Sequence, residues 1–275
     1  MIKPHNTQHE GRYLNSIKWS PLAYEKTAVI AVEAGQEALS RLDWMTIQPA
    51  VIVDAGCGTG ELTKKLQQRY PAARVYAVDH DAAMADFTRQ HHADVIHTDA
   101  AKLPFEDNSV DLVFANLLLP WQPDVNKIKS LLQEWRRVLR PEGLLMFTAL
   151  GVDTLQQIRE LCNPKDDYPL LFDMHDCGDM LVEAGFLDPV LDVDYYTLSY
   201  DEPQKLWQEL QDSGMLLTDV ADAVKQQLAQ ATDGCFELTY EVIHAHAFAP
   251  EQNAGFRPAE DGITRIPVSQ LVRRR

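Results

Sequence analysis

No segment of the chain carries an apolar run approaching the length of a membrane span, so no transmembrane helix is expected. Cysteine is scarce: Cys57, Cys162, Cys177 and Cys235 are scattered without paired spacing. That pattern excludes a disulfide framework and a structural zinc site, and it fits a reduced compartment. His175 and Cys177 alone are too sparse for a metal centre, and no metal is expected. Basic residues are outnumbered, 25 Lys and Arg against 41 Asp and Glu, which leaves a net charge of −16. Such a chain repels phosphate and gains little from counterion release, so neither nucleic acid nor a membrane is an expected partner. The opening Met1-Ile2-Lys3-Pro4-His5-Asn6 lacks an apolar signal core, and a cytoplasmic location is expected. There is no internal repeat and no low-complexity tract.

What the chain does have is the composition of a soluble globular protein, 45% hydrophobic and 24% charged over 275 residues. That length accommodates one large domain, plain or elaborated. Its local basic clusters are Lys64-Lys65, Arg136-Arg137 with Arg140, and Arg273-Arg274-Arg275. Each reads as a solvated helix face or tail, or as a docking patch for an acidic protein.

The chain is organised around Val51-Ile52-Val53-Asp54-Ala55-Gly56-Cys57-Gly58-Thr59-Gly60, followed by Glu61-Leu62-Thr63-Lys64-Lys65-Leu66. A buried parallel strand, a tight turn and a helix N-terminus account for that order. Glycine permits positive φ and close approach of a ligand to the backbone, and the helix end offers free N–H groups. The spacing is not the G-x-G-x-x-G of dinucleotide sites. It resembles motif I of the Rossmann-like S-adenosylmethionine methyltransferases, which implies that Asp54, Gly56, Gly58 and Gly60 bind this cofactor. A carboxylate at Asp54 suits a ligand carrying a sulfonium and an ammonium group.

Arg74-Val75-Tyr76-Ala77-Val78-Asp79 reads as a second strand ending in an acid. The two oxygens of Asp79 suit both hydroxyls of a ribose, with helix capping as the alternative. His80 and Asp81 lead into a helix reaching about residue 91, and Met84 is placed to touch the adenine. Residues 94–100 form a short third strand. In this fold Asp99 takes the adenine amino group and the adjoining backbone at Ala100 a ring nitrogen; otherwise Asp99 is a plain loop residue. Residues 109–116 form the fourth strand, and Asn116, Leu117 and the chain on to Trp121 at its carboxyl end border the methionine moiety and the substrate, with Leu119 and Trp121 alternatively part of the core and the Pro120 break favouring a loop exposed to the site. Residues 124–139 are helical, Arg140-Pro141-Glu142-Gly143 stops the helix, and residues 144–150 make a fifth strand. The alternation describes an α/β, Rossmann-like, doubly wound and mostly parallel sheet.

Ahead of the first strand, Leu22, Tyr24, Ala28, Val29, Ala31, Val32 and Leu39 recur at near-helical spacing, giving one or two helices. Tyr24 either rests on the core or belongs to a lid over the cofactor. Gly35 either allows close packing or weakens its helix. Beyond residue 150, helices are expected over 154–161, 176–184, 202–211 and 217–231, with a polar loop over 163–168. Strands over 188–199 and 235–248 form an antiparallel pair that completes seven strands. Residues 1–20 read as a mobile lead-in and 21–250 as a single domain with an insertion at about 200–234 over the site. Residues 251–275 read as a tail, with a short edge strand at Ile263-Thr264-Arg265-Ile266.

The second half narrows the resemblance. Thr154-Leu155 with Ile158-Arg159, Phe172-Asp173-Met174-His175-Asp176-Cys177-Gly178-Asp179-Met180-Leu181, Ala184-Gly185-Phe186, and Asp188-Pro189-Val190-Leu191-Asp192 form an ordered series. With Tyr24-Glu25 and Leu238-Thr239-Tyr240-Glu241-Val242-Ile243-His244-Ala245-His246-Ala247-Phe248, it resembles the biotin-pathway malonyl-acyl-carrier-protein O-methyltransferases. It is also similar to respiratory-complex assembly proteins of this fold that act as protein arginine hydroxylases. A departure lies at Gly214-Met215-Leu216-Leu217, where an alanine and an asparagine would follow the glycine.

The first resemblance implies methyl transfer from S-adenosylmethionine to the free carboxylate of a malonyl thioester, carried by acyl carrier protein or coenzyme A. Methylation masks the carboxylate so that fatty-acid elongation can extend the chain. An acidic carrier would have to meet a local basic patch, and a monomer is expected. A carboxylate with a pKa of roughly 4 is ionised at neutral pH and needs no general base. It needs a clamp. Arg159 fits a carboxylate bidentately, with a surface helix arginine as the alternative reading. His175 is a second candidate, equally readable as a helix cap, and Tyr24 completes the catalytic set.

Overall fold

The apolar run Val51–Ala55 (β1) is hydrogen-bonded between two parallel neighbours, Arg74–Asp79 (β2) and Val110–Ala115 (β4). This computed structural model describes residues 19–159, 169–215, 226 and 236–251. Val95–His97 (β3), Leu139–Leu150 (β5), Leu187–Tyr200 (β6) and Phe236–Phe248 (β7) complete a seven-stranded sheet of order β3-β2-β1-β4-β5-β7-β6. Only β7 runs antiparallel to its neighbours, as the paired strands of the second half imply.

Alternate side chains of the strands feed two apolar layers. Ile52, Val75, Leu112, Phe114, Leu144 and Met146 pack beneath the helices Val29–Arg41 (α2) and Glu61–Arg69 (α3). Val53, Val78, Val113, Leu145 and Phe147 pack against Val125–Val138 (α5) and Met174–Glu183 (α7). The sequence of α5 shows why it forms and where it faces. Asp124 caps it by accepting from the Lys127 N–H at 2.8 Å, and Ile128, Leu131, Leu132, Trp135 and Val138 fall on one buried stripe.

A third apolar cluster lies over the carboxyl end of β5 and the amino-terminal half of β7. It joins Ile30 and Ala34 of α2 to Leu117, Leu155, Ile158 and the helix Pro203–Asp212 (α8). The helical segment before β1 breaks at Ala28 (ψ 55°), separating a short Pro21–Thr27 helix (α1) from α2. The residues of α1 are at most half-buried, Tyr24 among them, whereas α2 fully buries Ile30, Ala34, Gly35, Ala38 and Leu39. Gly35 is there for close packing: a Cβ would lie 2.6 Å from Leu62 Cδ1 and 3.1 Å from Asn116 Nδ2.

Several boundaries shift by one or two residues from expectation, and two differ for a visible reason. β3 is confined to Val95–His97 because the Asp99 carboxylate takes the Ala101 N–H at 2.9 Å and turns the chain out of the ladder. Arg140-Pro141-Glu142-Gly143 is no helix stop standing before a strand but part of β5. Leu139 pairs with Val110 across a register shift, and the Glu142 N–H bonds the Ala249 carbonyl at 2.9 Å. The helix over 154–161 is described only as Gln156–Arg159 (α6). The loop over 163–168, nearly all of the helix over 217–231, the edge strand at 263–266 and the arginines at 273–275 lie outside the described residues. No described helix is long and apolar enough to cross a membrane, and no cluster of potential metal ligands occurs among the described residues.

Replacing Trp135, fully buried with its Nε1–H on the Ala100 carbonyl at 3.2 Å, by alanine is expected to cost about 3–5 kcal/mol of stability. Urea unfolding of Trp135→Ala beside the unmodified chain measures this.

Candidate functional site

Strand order reverses direction between β1 and β4, and an open parallel sheet binds ligands in the crevice outside that point. The turn after β1 lies on one side of the crevice. Gly56, Gly58 and Gly60 have φ of 75°, 55° and 81°, values that glycine adopts without strain. The Gly56 and Cys57 N–H groups bond the Val78 carbonyl at 2.8 and 3.0 Å. Gly58 N–H donates to Asp79 Oδ2 and Asp81 N–H to Oδ1, both at 2.9 Å. A Cβ on Gly58 would meet only Tyr24 Cε1, at 3.9 Å, so bare backbone faces the cleft. Gly60 does something else: its Cβ would stand 2.6 Å from Thr88 Cγ2, so this glycine seats α3 on the helix Ala82–Arg89 (α4) and lines none of the compartments below.

The cleft has three compartments that share Gly56. The largest, of about 480 Å³, lies over the ends of β2 and β3 and is lined by Asp79, His80, Asp99, Ala100 and Lys127. A narrow one of about 70 Å³ holds Asp79, His80, Met84, Leu117, Tyr24, Trp19 and Trp121. The third, of about 60 Å³, is bounded by Asp54, Gly58, Tyr24 and Asn116. All of the expected cofactor residues except Gly60 therefore border one cleft. Tyr24, left open between core and lid, stands over the glycine turn. Arg159 and His175 line none of these compartments. Arg159 Nη1 donates to the Val152 and Thr154 carbonyls at 2.6 and 3.1 Å, and His175 lies exposed at the α7 N-terminus on its capping residue Asp173.

Burial dominates the electrostatics. It pushes the Asp54 carboxyl up to about 7 despite the hydrogen bond from the Thr63 hydroxyl, and the charge of Asp79 adds to the effect. It raises Asp79 as well, against the pull of the Asp81 and Gly58 N–H groups. Burial, then the nearby Asp79, lift Tyr24 to about 12, so the phenol stays protonated. Burial raises Cys57 far enough to keep the thiol inert.

Several site residues carried no signal strong enough to single them out. Trp19 crosses Tyr24 and Trp121 edge-to-face at 5.6 and 5.4 Å, walling the narrow compartment, yet it lies in a polar lead-in. Thr148 is spelled as an ordinary strand residue. Its hydroxyl accepts from the Leu117 N–H at 2.9 Å and donates to Asn116 Oδ1 at 2.7 Å, while Asn116 Nδ2 donates to the Ala31 carbonyl at 2.8 Å. That chain holds Leu117 at φ 48° and ties β4, β5 and α2 together. The basic clusters are partly consumed: Lys65 pairs with Glu61, Arg137 with Glu134 and Asp107, and Arg140 with Asp111.

The methyltransferase-domain family matches residues 53–147, which span the glycine turn through β5. A malonyl-[acyl-carrier protein] O-methyltransferase from Gallionella capsiferriformans is 34% identical, covering 82% of this chain and 86% of its own. Proteins of the same name from Halorhodospira halophila (32% identical, 92% of each chain) and Legionella pneumophila (33%, 91% of this chain and 94% of its own) extend the match. Among solved structures, phosphoethanolamine N-methyltransferase 2 from Haemonchus contortus, in complex with S-adenosyl-L-methionine, aligns with a TM-score of 0.52 and 18% identity. It covers 78% of this chain and 53% of its own. The YcgJ protein from Bacillus subtilis aligns with a TM-score of 0.55 and 14% identity, covering 78% of this chain and 99% of its own. At those identities the structures share the fold.

The Asp54 shift sets a stability prediction. In the folded protein Asp54 keeps its proton up to about pH 7, whereas the ordinary value for an aspartate is 3.8. Between those values the folded state holds the extra proton, so this contribution to stability is lost as pH rises. Thermal unfolding at pH 5 and pH 8 is expected to show Asp54→Asn gaining stability relative to the unmodified chain at the higher pH.

Proposed function

The chain belongs to the malonyl-[acyl-carrier protein] O-methyltransferase family, and from that premise we propose that it methylates the free carboxylate of malonyl-acyl carrier protein. The observation that supports this reading is the single cleft in which bare glycine backbone, Asp79 and an aromatic wall meet at Gly56. The cleft suits an extended nucleoside with an amino-acid arm. Asp79 faces the ribose, the compartment beyond it takes the base, and the Gly56–Gly58 backbone takes the methionine arm. S-adenosylmethionine, when bound, supplies an electrophilic methyl group on a sulfonium sulfur.

The residues then have to position a weak nucleophile and keep water away. The malonyl carboxylate is already ionised, its pKa being roughly 4, so no base is called for. Tyr24, protonated, offers a hydroxyl donor and a ring face. Trp19 and Trp121 close the other walls and strip water from the incoming oxygen. Alignment of this kind is worth up to about 7–11 kcal/mol in model reactions. Asn116, held from both sides, keeps the carboxyl end of β4 rigid beneath the reacting atoms. Arg159, with Nη1 on two backbone carbonyls, reads as a brace of the turn over residues 152–154 rather than a carboxylate clamp.

Isotope-labelled S-adenosylmethionine, offered malonyl-acyl carrier protein and malonyl-coenzyme A in parallel with a protein substrate as control, tests the proposal. Label is expected on the carrier-bound malonyl group as a base-labile ester. Absence of label on both thioesters, with label or hydroxylation on an arginine-containing protein, would favour the hydroxylase-like reading. Asp79→Ala is expected to weaken S-adenosylhomocysteine binding at least tenfold in calorimetry, through lost charge-assisted hydrogen bonds. Arg159→Ala is expected to lower the melting temperature while leaving the malonyl KM within about twofold, because its Nη1 contacts are to the chain's own backbone.

A further inference from the structure

Residues 144–150 carry one polar side chain among six apolar ones, that of Thr148, and it is fully buried. Valine has the same shape and suits a buried strand better, so packing alone does not call for a hydroxyl. The hydroxyl stands where β4 leaves the sheet. Ala115 and Phe147 are the last pair of the β4–β5 ladder, and the Leu117 N–H beyond it goes to Thr148 Oγ1 at 2.9 Å in place of a strand carbonyl. Leu117 turns out of the strand at φ 48°, and of the five non-glycine residues with positive φ among the described residues it is the one that borders the cleft. The hydrogen bonds from there on run in one direction. Having accepted from Leu117, the hydroxyl has one proton to give, and it goes to Asn116 Oδ1 at 2.7 Å. The amide oxygen is thereby held towards β5, while Asn116 Nδ2 donates one hydrogen to the Ala31 carbonyl at 2.8 Å. Among the described residues no acceptor takes its other hydrogen. Asn116 borders both small compartments of the cleft, whereas Thr148 borders none of the three.

We infer that Thr148 is a positioning residue whose hydroxyl fixes the Asn116 amide so that a donor, and not an acceptor, is left for a carboxylate in the cleft. The inference rests on the proposed methyl-transfer reading. Two carboxylates then come to this place, the malonyl one that receives the methyl group and the one on the methionine arm. An amide free to turn presents its oxygen as readily as its nitrogen, and an oxygen there repels either carboxylate. A single neutral N–H suits a nucleophile. It orients the group through one oxygen and leaves the other free to attack, without the tight ion pair that an arginine forms with both. Arg159 donates to backbone carbonyls outside the cleft, so the Asn116 amide takes over the orienting part that a guanidinium was expected to play.

The test compares, in the full chain, Thr148→Val, which removes the hydroxyl and keeps the shape, with Thr148→Ser, which keeps the hydroxyl. Thr148→Val is expected to lose roughly tenfold in kcat/KM for methylation of malonyl-acyl carrier protein, the worth of one or two hydrogen bonds, and Thr148→Ser to recover most of it. Calorimetry with S-adenosylhomocysteine identifies the carboxylate. Affinity held within about twofold in Thr148→Val assigns the donor to the malonyl group, and a loss of about tenfold assigns it to the methionine arm; either result supports the inference. Circular dichroism gives the folded fraction, and rates are taken per folded molecule. Should Thr148→Val not fold, Thr148→Ala repeats the comparison. A variant without the hydroxyl that melts earlier yet keeps both kcat/KM and S-adenosylhomocysteine affinity, or a Thr148→Ser no better than Thr148→Val, would overturn the inference and leave the methyltransferase reading standing. Failure of the unmodified protein to bind S-adenosylhomocysteine at all would overturn both.

Discussion

The hydrogen bond from the Gly58 N–H to the Asp79 carboxylate ties the turn after the first strand to the end of the second, and the cleft is arranged around it. One oxygen of Asp79 fixes the glycine turn and the other fixes the start of the next connection through Asp81. Each oxygen keeps a lone pair free, so a group that holds the protein together is also an acceptor facing the compartment. The glycine turn adopts its left-handed angles because nothing larger than hydrogen stands there, and its curl leaves Gly58 exposed to Tyr24 alone. Burial of Asp54 and Asp79 close together costs free energy, offset in part by the hydrogen bonds from the Thr63 hydroxyl and the Gly58 and Asp81 N–H groups.

The frame was legible from residue types. Val51–Ala55 before a glycine turn, Asp79 at the end of an alternating run and the apolar stripe of α5 each express a rule of short range, and the structure follows them. The antiparallel β6 and β7 pair was legible because Phe236, Leu238 and Tyr240 alternate. Gly35 was ambiguous in the sequence, since helix weakening and close approach look alike until Leu62 is set against it.

The rest depended on contacts between distant positions. Thr148 and Asn116 are 32 residues apart, and Ala31 and Asn116 are 85 apart. No local pattern records that these residues hold one another. Trp19 belongs to the wall of the cleft only because α1 lays it against Trp121. Arg159 looked like a clamp by charge and by company in its motif, but its Nη1 turned to the carbonyls beside it. His175 behaved as the cap neighbour that its local Asp173-Met174-His175-Asp176 spelling also allowed. Gly214, the glycine just before the departure at Met215-Leu216-Leu217, has φ 76°, and a Cβ there would stand 2.8 Å from the Trp19 ring, so a side chain would press on the aromatic wall.

The break at Ala28 divides labour between two helices. α2 is anchored at one end by Asn116 and at the other by Arg41, which is paired with Glu37, Asp192 and Asp194. α1 is at most half-buried, Tyr24 among its inward-facing residues. α1 instead supplies a wall of the cleft, with Tyr24 packed edge-to-face on Trp19 and set over the glycine turn. The wall of the cleft and the cohesion of the sheet are thus carried by two separate helices, joined only at Ala28.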